Sequence, residues 1–242
     1  MQKLLISIFL FLNIFCLQAE LPFKKGEKLE YSVWYNFVKG GKSYMKITEI
    51  DTLDGTPLFH SVSITKSIGL VDKLFGINDR LETWFHQDSL YSYRFSKKIR
   101  EGSYKKDYTV NFNYRDSMAI PTNKDTTIKI NQKIHDGLSI FYYLRGQNLK
   151  VGQILKVNNF DGNKFKPYKI KVSKIQKVKV PAGKFRCYKL EPYKEEGELF
   201  EKHQNRVKTY ISTDSLRLPV KITSKANFGT LILKLENVKY LN

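Results

Sequence analysis

Four histidines and two cysteines are the side chains here best suited to nucleophilic, acid–base or metal chemistry. His60, His86, His135 and His203 show none of the HExxH, HxH or Cys/His spacings that set two metal ligands on one face of an element. His86 precedes Asp88 at a strand end, either as a loop pair or as an ordinary solvated turn. No GxSxG elbow, GxxxxGKS loop or GxGxxG run occurs, so acyl transfer, phosphate cradling and dinucleotide binding lack sequence support. Cys187 shares a strand face with Phe185 and Lys189 and has no histidine or helix start beside it, so it reads as a small buried hydrophobe. The expectation is a protein that is not an enzyme and uses no metal or cofactor.

Binding chemistry has more material. Arg80 and Glu82 stand two residues apart and share a strand face. An inward Arg80 could meet an anionic headgroup while Glu82 holds its fork. The alternative is a surface ion pair worth under about 1 kcal/mol. Arg145 closes a predicted helix, where it either meets the same headgroup or complements the helix dipole. Trp34 and Trp84 offer flat rings for stacking on sugars, or fill a core.

The elements that must position these residues are mostly strands. Residues 168–193 alternate apolar and basic types on both sides of Val180-Pro181-Ala182-Gly183, which predicts a long hairpin. Pro181 presets the first corner and Gly183 tolerates the left-handed conformation that follows. Upstream, Leu29, Tyr31, Val33, Tyr35 and Phe37 fall on one strand face, Gly40-Gly41 is expected to turn the chain, and 43–51 returns. Asp54-Gly55 begins the next turn, and further strands are expected at 57–65, 77–86, 90–100, 104–114, 126–130, 153–160, 206–213, 218–226 and 229–238. Asp214-Ser215 and Asn227-Phe228-Gly229 supply the late turns.

Two segments break the period of two. Ile68, Leu70, Val71, Leu74 and Phe75 suit a turn or two of helix lying on apolar surface. Asp136 starts a second helix that runs to about Arg145, with Leu138, Phe141, Tyr142 and Leu144 on its apolar side. The fold class is therefore all-β: a large curved antiparallel sheet or partly closed barrel with two short helices across its mouth or concave face.

Residues 1–19 open with Met1-Gln2-Lys3, continue as an apolar run from Leu4 to Leu17 and end at Ala19, the pattern of a cleaved secretory signal. The run falls short of the roughly 18 residues of a spanning helix, and bulky Phe15 before Cys16 argues against a lipid anchor there. What remains, 20–242, reads as a single β-rich domain. It loses Lys3 and no acidic residue, which takes the formal charge from +19 to +18, and it keeps Cys187 alone, so no internal disulfide supports it. Such a charge attracts polyanions. Export turns that preference from nucleic acid toward phospholipid headgroups, lipopolysaccharide and acidic glycans, with peripheral membrane contact. The alternative is that the lysines only decorate solvent faces and guard sheet edges.

Several runs recur in a familiar order: Gly26-Glu27 before Leu29-x-Tyr31-x-Val33-x-Tyr35 and Gly41; Asp79-Arg80-x-Glu82; Asp136-Gly137-Leu138-Ser139-x-Phe141-Tyr142-x-Leu144-Arg145; Val180-Pro181-Ala182-Gly183-x-Phe185-x-Cys187; and Asp214-Ser215-x-Arg217-x-Pro219-Val220. Across nearly all of the mature chain this pattern resembles the bacterial envelope family called domain of unknown function 3108. The resemblance implies exported all-β proteins, akin in shape to the periplasmic lipoprotein carriers whose curved sheet holds acyl chains against helices. It implies no reaction and no catalytic residue.

The leading functional expectation is a periplasmic or outer-membrane-associated protein with an apolar groove for a lipid or acyl chain. Leu70, Leu74, Leu138, Phe141 and Tyr142 would line it, and Arg80, Glu82, Trp84 and Arg145 would meet the headgroup. The alternative is a non-catalytic assembly factor that binds envelope proteins or cell-wall glycan, favoured if Phe and Tyr fill the interior. An envelope hydrolase would need His86 or His135 joined to a carboxylate and a nucleophile. Oligomeric state stays open.

Overall fold

Alternating residue types extend most of the chain, because a pleated backbone sends successive side chains to opposite faces. The structure, a computed structural model, describes residues 20–53, 55–122, 125–160, 165–193, 207–226 and 229–241. The expected leader at 1–19, His203 and the turn residues Asp54, Asn227 and Phe228 lie outside the described residues. The first half holds β1 (Glu27–Tyr35), β2 (Val38–Leu53), β3 (Thr56–Ser67), α1 (Gly69–Leu74), β4 (Asn78–His86), β5 (Ser92–Glu101) and β6 (Tyr104–Asn113). Next come β7 (Met118–Pro121), β8 (Ile128–Lys129), α2 (Ser139–Gly146) and β9 (Ile154–Phe160). The hairpin β10 (Phe165–Val180) and β11 (Gly183–Pro192) precedes β12 (Val207–Ser212), β13 (Pro219–Ala226) and β14 (Gly229–Tyr240).

Among the described residues these strands form one 14-stranded antiparallel sheet in the order β8-β7-β6-β5-β4-β3-β2-β1-β14-β13-β12-β11-β10-β9. Each half pairs in sequence order, and β1 meets β14 to join them from Glu27↔Tyr240 to Tyr35↔Leu231. The edge strands β8 and β9 are not neighbours in the sheet. The segment between β8 and α2 fills the seam: His135 N–H donates to Asn158 O at 2.9 Å, and Phe160 N–H donates to His135 O at 3.4 Å. Phe160 of β9 then meets Phe112 of β6 edge-on, with ring centroids 5.6 Å apart. The sheet curls until its ends almost touch, without closing into a barrel.

Among the described residues, large side chains occupy its interior. Phe23, Tyr31, Phe59, Phe85, Phe95, Tyr108, Phe112 and Phe160 are buried in one apolar cluster, and α2 inserts Leu138 and Tyr142 among them. Tyr142 lies 4.9 Å from Phe85 and 5.1 Å from Phe23, centroid to centroid. The opposite side of α2 adds Leu144 to a second cluster with Leu149, Val157, Val172, Leu190 and Ile211. The two helices therefore differ in kind. No residue of α1 is buried, so the expectation that 68–75 lies on apolar surface is corrected.

Two further expectations change. Gly40 and Gly41 do not turn the chain; the turn is at Asn36-Phe37, with Asn36 at φ 51°, and both glycines lie inside β2. Gly41 serves close strand packing, since a Cβ there would stand 2.7 Å from Lys66 O. Phe37 is consequently exposed rather than on the inner face. The four-residue β7 lies outside the expected strands, because a strand that short and ending in Pro121 carries little periodic signal. The 180–183 turn forms as expected, with Gly183 at φ 136° opposite Val180.

Candidate functional site

Three of the resemblance motifs, those holding Glu27, Asp136 to Arg145, and Pro219, are joined by contacts inside the fold. Glu27 continues the inner face of Leu29, Tyr31 and Val33, which buries its carboxylate. Arg145 reaches it from the last turn of α2, donating from Nη1 to Oε1 at 2.6 Å and from Nη2 to Oε2 at 2.8 Å. Nη2 also donates to the Pro22 and Leu216 carbonyls at 2.8 and 3.1 Å. The rings of Phe23 and Tyr142 flank the guanidinium at 5.0 and 6.0 Å. Buried Asp136 caps the start of α2: Oδ1 accepts Leu138 N–H at 2.7 Å and Ser139 N–H at 2.9 Å, while Oδ2 accepts Thr83 and Ser92 hydroxyls at 2.5 and 2.6 Å. Burial pushes the Asp136 carboxyl up, and these four donors oppose it. Tyr31 donates its hydroxyl to Pro219 O at 3.0 Å. These contacts tie the segment ahead of β1, α2 and the β12–β13 turn to the sheet.

The outer face carries a different constellation. Leu81, Thr83 and Phe85 of β4 face inward, so Arg80, Glu82 and Trp84 face outward, contrary to the expected inward Arg80. Arg80 forks onto Glu82 at 2.7 and 2.9 Å and holds that carboxyl below its usual range. His60 of β3 stands 3.2 Å from Glu82 and 3.2 Å from Glu49, and Thr48 lies 2.9 Å from its Nδ1. Register sets His60, Trp84 and Arg94 side by side on β3, β4 and β5. The imidazole stacks on Trp84 at 4.2 Å, and the Arg94 guanidinium lies 5.0 Å from the same ring. With a neighbour from the strand on each side, Trp84 has no open face for a sugar.

Lysines dominate the rest of that face. Lys66, Lys42, Ser32, Lys234, Lys221 and Tyr210 are direct cross-strand partners from β3 through β2, β1, β14 and β13 to β12. Lys234 sits 4.0 Å over the Trp34 ring and Lys221 5.5 Å over Tyr210. Burial, with Lys234 beside it, pulls the Lys221 ammonium below its usual range. Like charges opposed across a sheet repel, so this row is built at a cost that an anionic partner would relieve. Beside it lies a groove of about 390 Å³ lined by Lys28, Lys42, Lys66, Tyr44, Ile64, Glu30 and Glu236.

The expected site residues thus split into three groups. Arg80, Glu82 and Trp84 meet on the outer face, joined by His60, which sequence reasoning did not place there. Leu138 and Tyr142 are core, with Phe141 packed against it, and Arg145 is sealed by Glu27. Leu70 and Leu74 stand in solvent at the opposite end of the sheet. The nine do not form one groove. A cleft of about 840 Å³ does open beside the segment ahead of β1, lined by Leu21, Pro22, Phe23, Phe59, Leu216 and Tyr240 among others.

Catalytic arrangements fare no better. Among the described residues no group of three His, Cys, Asp or Glu could hold a metal. Cys187 is buried, and burial pushes its thiol up to about 12. His135 donates from Nδ1 to Leu90 O at 3.1 Å, and His86 accepts Asp88 N–H at 3.1 Å, so both serve local backbone.

The family described as Protein of unknown function (DUF3108) matches residues 30–236. The chain belongs to this family. DUF3108 carries no assigned activity in that description, and no curated protein matches the chain. Among solved structures, a beta-barrel-like protein of domain of unknown function DUF1849 from Brucella abortus is similar at 11% identity, with a TM-score of 0.60 over 89% of this chain and 98% of its own. That likeness shows the fold of this DUF3108 member. A DUF1089 family protein from Pseudomonas aeruginosa is more distant, at 11% identity and TM-score 0.38 over 74% of this chain and 87% of its own.

Proposed function

We propose that this chain is an exported, non-catalytic binding protein of the bacterial envelope that works through the outside of its sheet. The observation that carries this reading is the packed interior: α2, with Phe141 and Tyr142 expected to line an acyl-chain groove, is pinned by Arg145–Glu27 at one end and Asp136 at the other. Polar and cationic groups free of core duties lie on the outer face, where the lysine row suits an anionic or acidic envelope partner. Export rests on the leader pattern at 1–19.

Native mass spectrometry of the chain purified from its host's envelope without detergent tests this reading. The expected result is an apo mass, together with no saturable binding of a fluorescent fatty acid. A bound mass that extracts as lipid would overturn it. A second reading then takes over, favoured by the cleft beside Leu21 and Phe59: a small apolar ligand held against the segment ahead of β1 rather than inside the sheet.

A further inference from the structure

Three loops at one end of the curled sheet carry large apolar side chains that the described chain leaves uncovered. Phe37 and Val38 at the β1–β2 turn are 94% and 60% exposed, and Leu70 and Leu74 on α1 are 75% and 85% exposed. Phe75 and Tyr104 beside them are also exposed. The loops form one rim. Ile68 N–H donates to Gly40 O and Gly102 N–H donates to Gly76 O, each at 2.9 Å. Val71 packs on Gly40 and the Phe75 ring on Gly102, where added Cβ atoms would come within 3.0 and 2.6 Å. A contiguous apolar rim on a soluble protein marks a contact surface.

Its charge says what it contacts. The same segments, 35–42, 66–79 and 98–106, hold eight basic and three acidic residues. Lys42, Lys66, Lys73 and Lys105 are exposed, and Lys42 pairs with Lys66 on the strands just behind the tip. Apolar side chains at a tip with a cationic collar behind them match a bilayer, whose anionic headgroups overlie its hydrocarbon.

We propose that this rim docks the protein on an anionic phospholipid bilayer, with Phe37, Leu70 and Leu74 entering the headgroup–acyl boundary and Lys42 and Lys66 meeting lipid phosphates. The proposal deepens the envelope reading and rests on it only for delivery to a compartment that such a membrane bounds.

Co-sedimentation with vesicles of phosphatidylglycerol and phosphatidylethanolamine, against neutral phosphatidylcholine, tests it. The protein should bind only the anionic vesicles, and less as salt rises. The variant Phe37→Ser/Leu70→Ser/Leu74→Ser should bind at least about tenfold more weakly with an unchanged thermal midpoint, since all three side chains stand in solvent. Lys42→Ser/Lys66→Ser should weaken binding and flatten its salt dependence. A triple variant that binds like the parent would reduce the effect to general positive charge and overturn the proposal, as would a parent indifferent to anionic vesicles. If the parent dimerises and the triple variant does not, a second copy occupies the rim and the bilayer proposal falls. None of these outcomes bears on the apo mass, so the envelope reading stands or fails separately.

Discussion

At the scale of single residues, the Glu27–Arg145 pair is the chemistry most firmly placed. Both partners are 1% exposed, and four hydrogen bonds of 2.6 to 3.1 Å would be hard to reproduce with another cation. The Arg145 Nη atoms make these four donations, while Nε has no hydrogen-bond partner among the described residues. Arg145→Met leaves a buried carboxylate uncompensated and should cost about 3–5 kcal/mol, seen as a lower urea midpoint at unchanged slope. Glu27→Leu with Arg145→Met should recover most of that loss, because removing both charges removes the desolvation penalty as well. If the double variant stays as unstable as the single one, the contacts to the Pro22 and Leu216 carbonyls, and not the charge pair, hold this end.

At the scale of elements, the two helices serve opposite purposes. The eight-residue α2 is a plug: its apolar side chains complete two clusters, and its ends are tied to β1, β4 and β5. The six-residue α1 is a surface turn that presents leucines outward. Leu138→Ala should therefore cost about 2–5 kcal/mol, whereas Leu74→Ser should stay within about 0.5 kcal/mol. Chemical denaturation of both variants checks this. Equal losses would mean that α1 packs against something and is not a free surface. The difference was not legible from periodicity, since both segments show apolar residues at helical spacing. What separates them is where the flanking strands leave them.

At the scale of the whole molecule, the seam between β8 and β9 is the place where the sheet is held by something other than strand pairing. His135 sits in that seam, buried, and burial lowers its pKa to about 4 from 6.5. A folded value below the unfolded one means that the unfolded chain takes the proton first as pH falls. Stability should thus be full above about pH 6.5 and decline toward about pH 4, by roughly 3 kcal/mol from this group. His135→Gln, which keeps a donor for Leu90 O, should flatten that part of the profile. Urea midpoints at several pH values decide it: curves for parent and variant that stay parallel would remove His135 as the cause. Hydrogen exchange near Phe160 should rise over the same interval if the seam opens first.

Alternation and turn chemistry by themselves determined that the chain is all-β, where most strands lie, and that 180–183 is a hairpin turn, because these depend on local backbone preference. The sequence also carries another signal: Glu27 shares parity with Leu29, Tyr31 and Val33, and a carboxylate on an apolar face needs a buried cation or buried hydrogen-bond donors. Likewise Leu81, Thr83 and Phe85 alternate with Arg80, Glu82 and Trp84, which already favours an outward Arg80. Only the tertiary structure decided that Arg145 is the cation beside Glu27, that His60 joins Glu82 and Trp84, and that four lysines align with Ser32 and Tyr210 in one row across six strands. Partner choice between residues 118 positions apart, and register across a curled sheet, depend on how the strands roll and on what the rolled interior has room for, and no local pattern encodes either.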